Sequence, residues 1–480
     1  MPWRRNKTMT LTARILVLLP ALLVAGCATF TPEPELVPLP VAPPEQWSVQ
    51  SGEGQGIDAS WWQAFNDDNL NRLIDKALEA NPGLAAAAES VIQADLQLQS
   101  AGAGLLPSVG ASASTGRQAS RVSGGDTNTG GSTSAGLSVD YELDLWGRLS
   151  AVEGGALANF QATRFDYDTA RITLVASVAS TWFEWLELQQ RVEVARNNLA
   201  IGERTLALVE ARFRNGAASR AELARQQTSV LSLRNAVPPL EYQARQRLAA
   251  LRVLTGELPF EGDTPGADIA AVSIPVISPL APASLVTRRP DLAAQEARLV
   301  AASADIEQAR AALLPSVSLS AAVRLSTDSF LSLADPTQSV SGLLGLSQSL
   351  FDGGQRRNAL AISESRRVAL LESYRGSLLT AFQEVGDALD RDSLFELQEQ
   401  RLQEILARAE ETLRLTEVRY REGADDLLTL LESQRSVFDA RQQLSQMRLN
   451  RLIAAVDLYK ALGGGWQRDD EVVATGPVEE

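Results

Sequence analysis

The chain has 480 residues, 45% hydrophobic and 21% charged, with no histidine, one cysteine and a net charge of −15. The acidic balance disfavours a nucleic-acid partner, whose phosphates would repel it. The lack of histidine removes the commonest general base and metal ligand.

Residues 1–26 read as an export signal: Arg4, Arg5, Lys7 and Arg14 form a basic start, and Ile15 to Ala25 an apolar run too short to span a bilayer. The run leads into Leu23-Val24-Ala25-Gly26-Cys27, which resembles a bacterial lipobox and holds the sole cysteine. The alternative is a plain signal peptide with a chance cysteine. A lone cysteine excludes an internal disulfide. Removal of 1–26 leaves 40 basic against 59 acidic side chains, a balance of −19.

Residues 27–57, rich in Pro, Glu and Gly, read as a tether; Gly52-Glu53-Gly54-Gln55-Gly56 lacks the strand and Lys-Ser/Thr of a phosphate loop. A first repeat is expected over 58–255. Its first helix has Leu70, Leu73, Ile74, Ala77 and Leu78 on one face, and a second starts at Asn81-Pro82 and stops before Pro107. Strands are expected at 108–121 and 132–146, separated by an exposed Ser/Gly/Asn/Thr loop at 123–131. The second strand alternates strictly: Leu137, Val139, Tyr141, Leu143 and Leu145 against Ser138, Asp140, Glu142 and Asp144. A proline-free helix follows over 148–212, with apolar positions three and four apart. A turn over 213–219 ends it, where Gly216 suits a left-handed cap and Ser219 starts the next helix. That helix, 220–255, is expected to break near Pro238-Pro239.

Residues 256–288 carry five prolines and read as a connection, after which 289–465 replay the order. A helix is expected at 290–313, strands at 315–326 and 340–352, a long helix at 354–421, a turn at 422–426 and a helix at 427–462. Residues 466–480 form an acidic tail, expected to be disordered. The repetition is visible in the residues: 82–109 and 290–317 share 12 of 28 positions, including Leu-Leu-Pro-Ser-Val, and Arg-Phe-Arg-Asn-Gly-Ala (212–217) recurs as Arg-Tyr-Arg-Glu-Gly-Ala (419–424). This is a tandem duplication.

The fold class expected is mostly α with a transmembrane β-barrel. Four two-faced strands of about ten residues fit a barrel wall, but four cannot close, and an open edge in lipid leaves backbone groups unpaired at several kcal/mol each. Two copies would give eight strands and a filled interior; three give twelve and a lumen, the arrangement we expect. A soluble β-sandwich is the alternative. Rows such as Leu371, Tyr374, Leu378, Phe382, Val385 and Leu389 read as a coiled-coil seam. Six antiparallel helix pairs, two per copy, would then extend the barrel as a tube.

These motifs, with Asp-Leu-Trp-Gly-Arg at 144–148 and Phe-Asp-Gly-Gly at 351–354, resemble the outer membrane factor (TolC-like) family, closest to its lipoprotein branch of drug-efflux channels, from Cys27 to Trp466. The resemblance implies a homotrimer with a twelve-stranded outer-membrane barrel and a twelve-helix periplasmic tunnel. It also implies docking to a periplasmic adaptor protein and an inner-membrane RND-type pump, and a lipid on Cys27 as the only attached group, with no cofactor or metal. The family closes its helical ends with acidic rings and polar links, a role carried here to Asp425 and Asp426 with Arg419 and Arg421; the plain alternative is a solvated helix start. Gly216, Ala217, Ser219, Gly423 and Ala424 are the expected adaptor contacts, being small enough for tip-to-tip approach. No catalytic constellation is visible, so the expectation is a passive duct, not an enzyme, with an acidic lumen favouring cations. The rivals are a channel for type I protein secretion and a non-conducting coiled-coil scaffold.

Overall fold

The structure is a computed structural model that describes residues 41–44, 46–47, 57–121, 123–124, 126–259, 268–277 and 281–468. Cys27, the segment 1–26, most of the tether and the tail from 469 lie outside the described residues. The chain divides into two compact units, one holding 105–151 and 307–356 and the other the remaining described residues.

The first unit contains one antiparallel sheet in the order β1 (Ser108–Arg121), β2 (Thr127–Leu143), β3 (Ser316–Thr327), β4 (Thr337–Ser347). Its register sorts the side chains onto two faces, with Leu343 opposite Ser320 and Gln338 opposite Leu325 as exceptions. Leu143–Val317–Leu346, Tyr141–Leu319–Leu344, Val109–Val139–Ala321, Ala111–Leu137–Val323–Val340 and Ala113–Ala135–Leu325 form successive rows on one face. Ser108–Asp140–Ser320, Ser112–Gly136–Arg324–Ser339 and Ser114–Ser134–Ser326 lie on the other. The apolar rows are uncovered within the chain: Val340, Leu346 and Val109 are each more than 70% exposed.

Strands β2 and β4 differ from expectation at both ends: β2 stops at Leu143, not 146, and β4 starts at Thr337, not 340, where Thr337–Ser339 find ladder partners in Arg324–Ser326. β2 begins at Thr127, not 132, because β1 extends to Arg121 and supplies ladder partners for Thr127–Gly131. Backbone pairing there overrides a loop-like composition. β4 ends at Ser347, not 352. Beyond it the Asp352 carboxylate accepts from Gly354 N (2.9 Å) and Arg356 N (3.3 Å), turning the chain into the next helix. Asp144 does the same in the first repeat, accepting from Leu149 N (2.9 Å) and Ser150 N (2.8 Å).

The helices carry the duplication in their lengths. They are α1 (Asp68–Ala80), α2 (Pro82–Ala103), α3 (Arg148–Arg214), α4 (Arg220–Leu254), α5 (Pro282–Arg288), α6 (Pro290–Ala311), α7 (Gln355–Arg421) and α8 (Leu427–Ala461). α3 and α7 have 67 residues each, α4 and α8 35, α2 and α6 22. At 1.5 Å per residue the long pair each span about 100 Å.

The core of the helical unit is aromatic. Trp182 and Trp185 stack at 5.1 Å, Trp61 stacks on Tyr459 at 4.8 Å, and Phe65 meets Phe183 at 5.1 Å. Trp182 Nε1 donates to Asp67 Oδ2 (2.8 Å), while the other oxygen of Asp67 caps α1 by accepting from Asn69 N and Leu70 N. In the α7 seam, Tyr374, Leu378, Val385 and Leu389 are buried.

α4 does not break at its prolines; it runs through Pro238 and Pro239. Val237 and Leu240 on either side pack with Val192 and Ala195, against Leu199 and Phe438, whereas both prolines face solvent. Water can satisfy the carbonyls left without donors, so packing outweighs the proline penalty. The connection 256–288 is likewise not featureless: its described residues include a 3₁₀ turn, Ile269–Ala271, and the helix α5.

Candidate functional site

The turns joining α3 to α4 and α7 to α8 follow one local code. In the first, Gly216 N donates to Phe213 O (3.0 Å) and Ala217 N to Arg212 O (2.8 Å). In the second, Gly423 N donates to Tyr420 O (3.1 Å) and Ala424 N to Arg419 O (2.8 Å). Both are Schellman caps, which need a left-handed residue after the helix; Gly216 and Gly423 supply φ of 74° and 78°. The next helix is capped two or three residues later. Ser219 Oγ accepts from Glu222 N (3.2 Å) while Glu222 returns a carboxylate to Ser219 N (2.6 Å), a capping box. Asp426 Oδ1 accepts from Thr429 N at 2.8 Å.

The sites named from sequence thus separate by role. Asp426 is a helix cap, held below the usual carboxylate range by the Thr429 backbone N–H. Asp425 belongs to a two-pronged ion pair: Arg419 Nε and Nη2 donate to its two oxygens at 2.8 and 3.0 Å. That guanidinium depresses the Asp425 carboxyl. Gly216, Ala217, Ser219, Gly423, Ala424 and Arg421 are all exposed.

Two functional candidates escaped the sequence reading. Arg212 occupies in repeat one the position Arg419 occupies in repeat two, but residue 218 is alanine where 425 is aspartate. With no aspartate at 218 to turn back to, Arg212 crosses to the other turn. Its Nη1 donates to Tyr420 O (3.1 Å), and its guanidinium lies 4.8 Å from the centre of the Tyr420 ring. Beneath this contact Val209, Tyr420, Leu427 and Leu430 form a buried cluster. The repeated Arg-aromatic-Arg spelling was the available signal, although spelling alone cannot say that one arginine reaches 208 residues away.

The seam behind the turns contains buried polar residues. Gln434 Nε2 donates to Thr205 Oγ1 (3.2 Å), Gln226 Nε2 to Gly202 O (2.9 Å), and Ser433 Oγ to Thr416 Oγ1 (3.3 Å). Such links join helices without the close apolar fit of the aromatic core. Among the described residues no group of three His, Cys, Asp or Glu side chains is arranged to hold a metal, and no helix is long and apolar enough to cross a membrane.

Comparison with known proteins matches both halves of the chain to one family, described as outer membrane efflux protein, over residues 73–257 and again over 281–464. Pyoverdine export outer membrane protein OpmQ of Pseudomonas putida is 37% identical over 474 residues, spanning 96% of this chain and 99% of the relative. Outer membrane protein OprJ of Pseudomonas aeruginosa is 33% identical, over 94% of this chain and 97% of its own. Among solved structures, the open state of the Neisseria gonorrhoeae MtrE outer membrane channel superposes with a TM-score of 0.79 at 28% identity, covering 90% of this chain and 97% of that one.

Proposed function

The chain belongs to the outer membrane efflux protein family, and from that premise we propose that it is the outer-membrane exit duct of a tripartite efflux system for small compounds. The observation that carries the reading is the sheet: four strands, one largely apolar and one largely polar face, the apolar rows left uncovered by the chain, with β1 and β4 each left with a free edge. In lipid those edges must pair, and copies of the same chain offer the complementary edges. Three copies give a twelve-stranded wall, apolar rows outward and the serine-rich rows, with Asp140 and Arg324, lining a lumen. The helices then form the periplasmic part.

The finer assignments extend this reading. Cys27 carries the lipid that fastens the mature N-terminus to the outer membrane. The two Schellman turns are the tips that meet a periplasmic adaptor, supported by exposed small residues at Gly216, Ala217, Gly423 and Ala424. An inner-membrane pump of the RND type supplies the energy, and the chain performs no chemistry of its own. The resting tip is held by Arg419–Asp425 and Arg212–Tyr420, two polar links a docking partner can exchange.

Planar-bilayer recording of the purified full chain tests the central claim. Stepwise ionic conductance from a particle of three copies is expected. A strictly monomeric, water-soluble, non-conducting protein would overturn it.

A further inference from the structure

The segment joining β3 to β4, residues 328–336, does not stand clear of the sheet. Thr133 Oγ1 donates to Ser329 O at 2.7 Å, and Leu331 N donates to Thr115 Oγ1 at 3.2 Å. Thr115 and Thr133 are cross-strand partners in the row next to Ala113–Ala135–Leu325, the last of the apolar block, and face the same way. The loop is therefore folded back onto the outward face at the end of its apolar band. Gly131 permits this approach, since a Cβ there would sit 2.6 Å from Phe330 N.

Folding back gives the loop's apolar side chains no cover. Phe330 is 48% exposed, Leu331 72% and Leu333 41%. Leu331 holds φ at 54°, in the left-handed region that leucine avoids, and Asp335 does so at 52°. Strained backbone that presents an uncovered leucine brings the folded chain no packing in return, and such strain concentrates at binding surfaces. Beside the loop, Arg117 pairs in register with Gly131, so its exposed guanidinium shares the outward face.

The spacing fits a bilayer boundary. The apolar rows run along β2 from Leu143 to Ala135, roughly 27 Å of strand and about 20 Å of height at a 40° tilt, close to the ~25 Å apolar band of outer-membrane barrels. Tyr141 stands near one end of that band, whereas the strands carry no aromatic residue at the loop end. Phe330 supplies one. Apolar side chains next to a cation match the acyl–phosphate boundary of a lipid leaflet.

Taking the sheet as a barrel wall, we propose that the β3–β4 loop is a lipid anchor, with Phe330, Leu331 and Leu333 entering the acyl–headgroup boundary and Arg117 pairing with a lipid phosphate. The test is spin labelling of the full chain in phosphatidylethanolamine–phosphatidylglycerol vesicles. Nitroxides at Leu331→Cys, Phe330→Cys, Val340→Cys and Ser120→Cys are compared for collision with oxygen and with a water-soluble nickel chelate, and unsubstituted protein, taken through the same labelling, supplies the background. The Leu331 and Phe330 labels are expected to favour oxygen severalfold more than Ser120 and less than Val340, and Arg117→Glu to shift the Leu331 label toward nickel. Leu331 and Phe330 labels as wet as Ser120, with Val340 still lipid-exposed, overturn the anchor and leave the barrel standing. A wet Val340 overturns both. An unmoved Leu331 label in Arg117→Glu overturns the phosphate pairing.

Discussion

Gly423 and Gly463 have similar backbones, φ 78° and 89°, yet alanine at the two positions should differ sharply in cost. A Cβ at 423 meets nothing within 4 Å, so Gly423→Ala adds only left-handed strain, about 1–2 kcal/mol. A Cβ at 463 would lie 1.9 Å from Arg288 O, more than an ångström inside the closest tolerable contact. Relief would have to move a segment already tied down, since Arg289 Nη1 donates to Ala461 O at 3.3 Å and to Glu384 at 2.6 Å. The cost of Gly463→Ala is therefore about 3–5 kcal/mol, the range of severe core lesions. Unfolding of such an assembly is irreversible, so the assay is the temperature at which half the detergent-solubilised oligomer is lost in a fixed heating time. Gly423→Ala should fall within a few degrees of the parent, and Gly463→Ala should yield little or no oligomer. Because position 423 is open, Gly423→Trp should also assemble, yet leave a strain lacking the native gene as drug-susceptible as the empty vector. A Gly463→Ala oligomer as heat-resistant as the parent would refute the packing argument. Full resistance with Gly423→Trp at normal abundance would refute the docking tip.

Two further outcomes follow from the charges. Glu187 is 2% exposed and burial pushes it up to about 7, with Arg191 opposing and Glu184 assisting. A raised folded value favours folding below the ordinary carboxylate range and is lost as pH rises through 7. Between pH 5 and 8 the half-loss temperature of the parent should therefore fall, driven by roughly 2–3 kcal/mol of lost stabilisation, while that of Glu187→Gln should not; parallel temperature–pH curves would reject this. Asp425 is depressed by Arg419, so its ion pair persists above the ordinary carboxylate range and weakens only as pH falls through the lowered value. Parent conductance should be flat from pH 8 to 5, whereas Asp425→Asn should raise it; a parent channel that opens between pH 7 and 5, or an unchanged Asn variant, would count against the tip link.

The fold class was legible because each element advertises its own period. Alternation over 137–143 marks a two-faced strand, and the 3/4 spacing of Leu371, Tyr374, Leu378, Phe382, Val385 and Leu389 marks a seam. The glycines and caps of the two turns were equally visible, since a Schellman cap is written in a handful of adjacent residues. Composition misled where a distant partner decides: Thr127–Gly131 look like loop but find a ladder on β1, and Pro238-Pro239 look like a break but are carried through by the packing of Val237 and Leu240.

Sequence by itself therefore determined the periods, the duplication, the two-faced sheet and the helix caps, because these depend on hydrogen bonds and faces within a few residues. Tertiary structure alone decided that Arg212 crosses to Tyr420, that the 328–336 loop lies on Thr115 and Thr133, and that Gly463 must admit the Arg288 carbonyl. Each of those depends on which surface a remote segment brings into contact, and residues far apart in the chain carry no local pattern that records it.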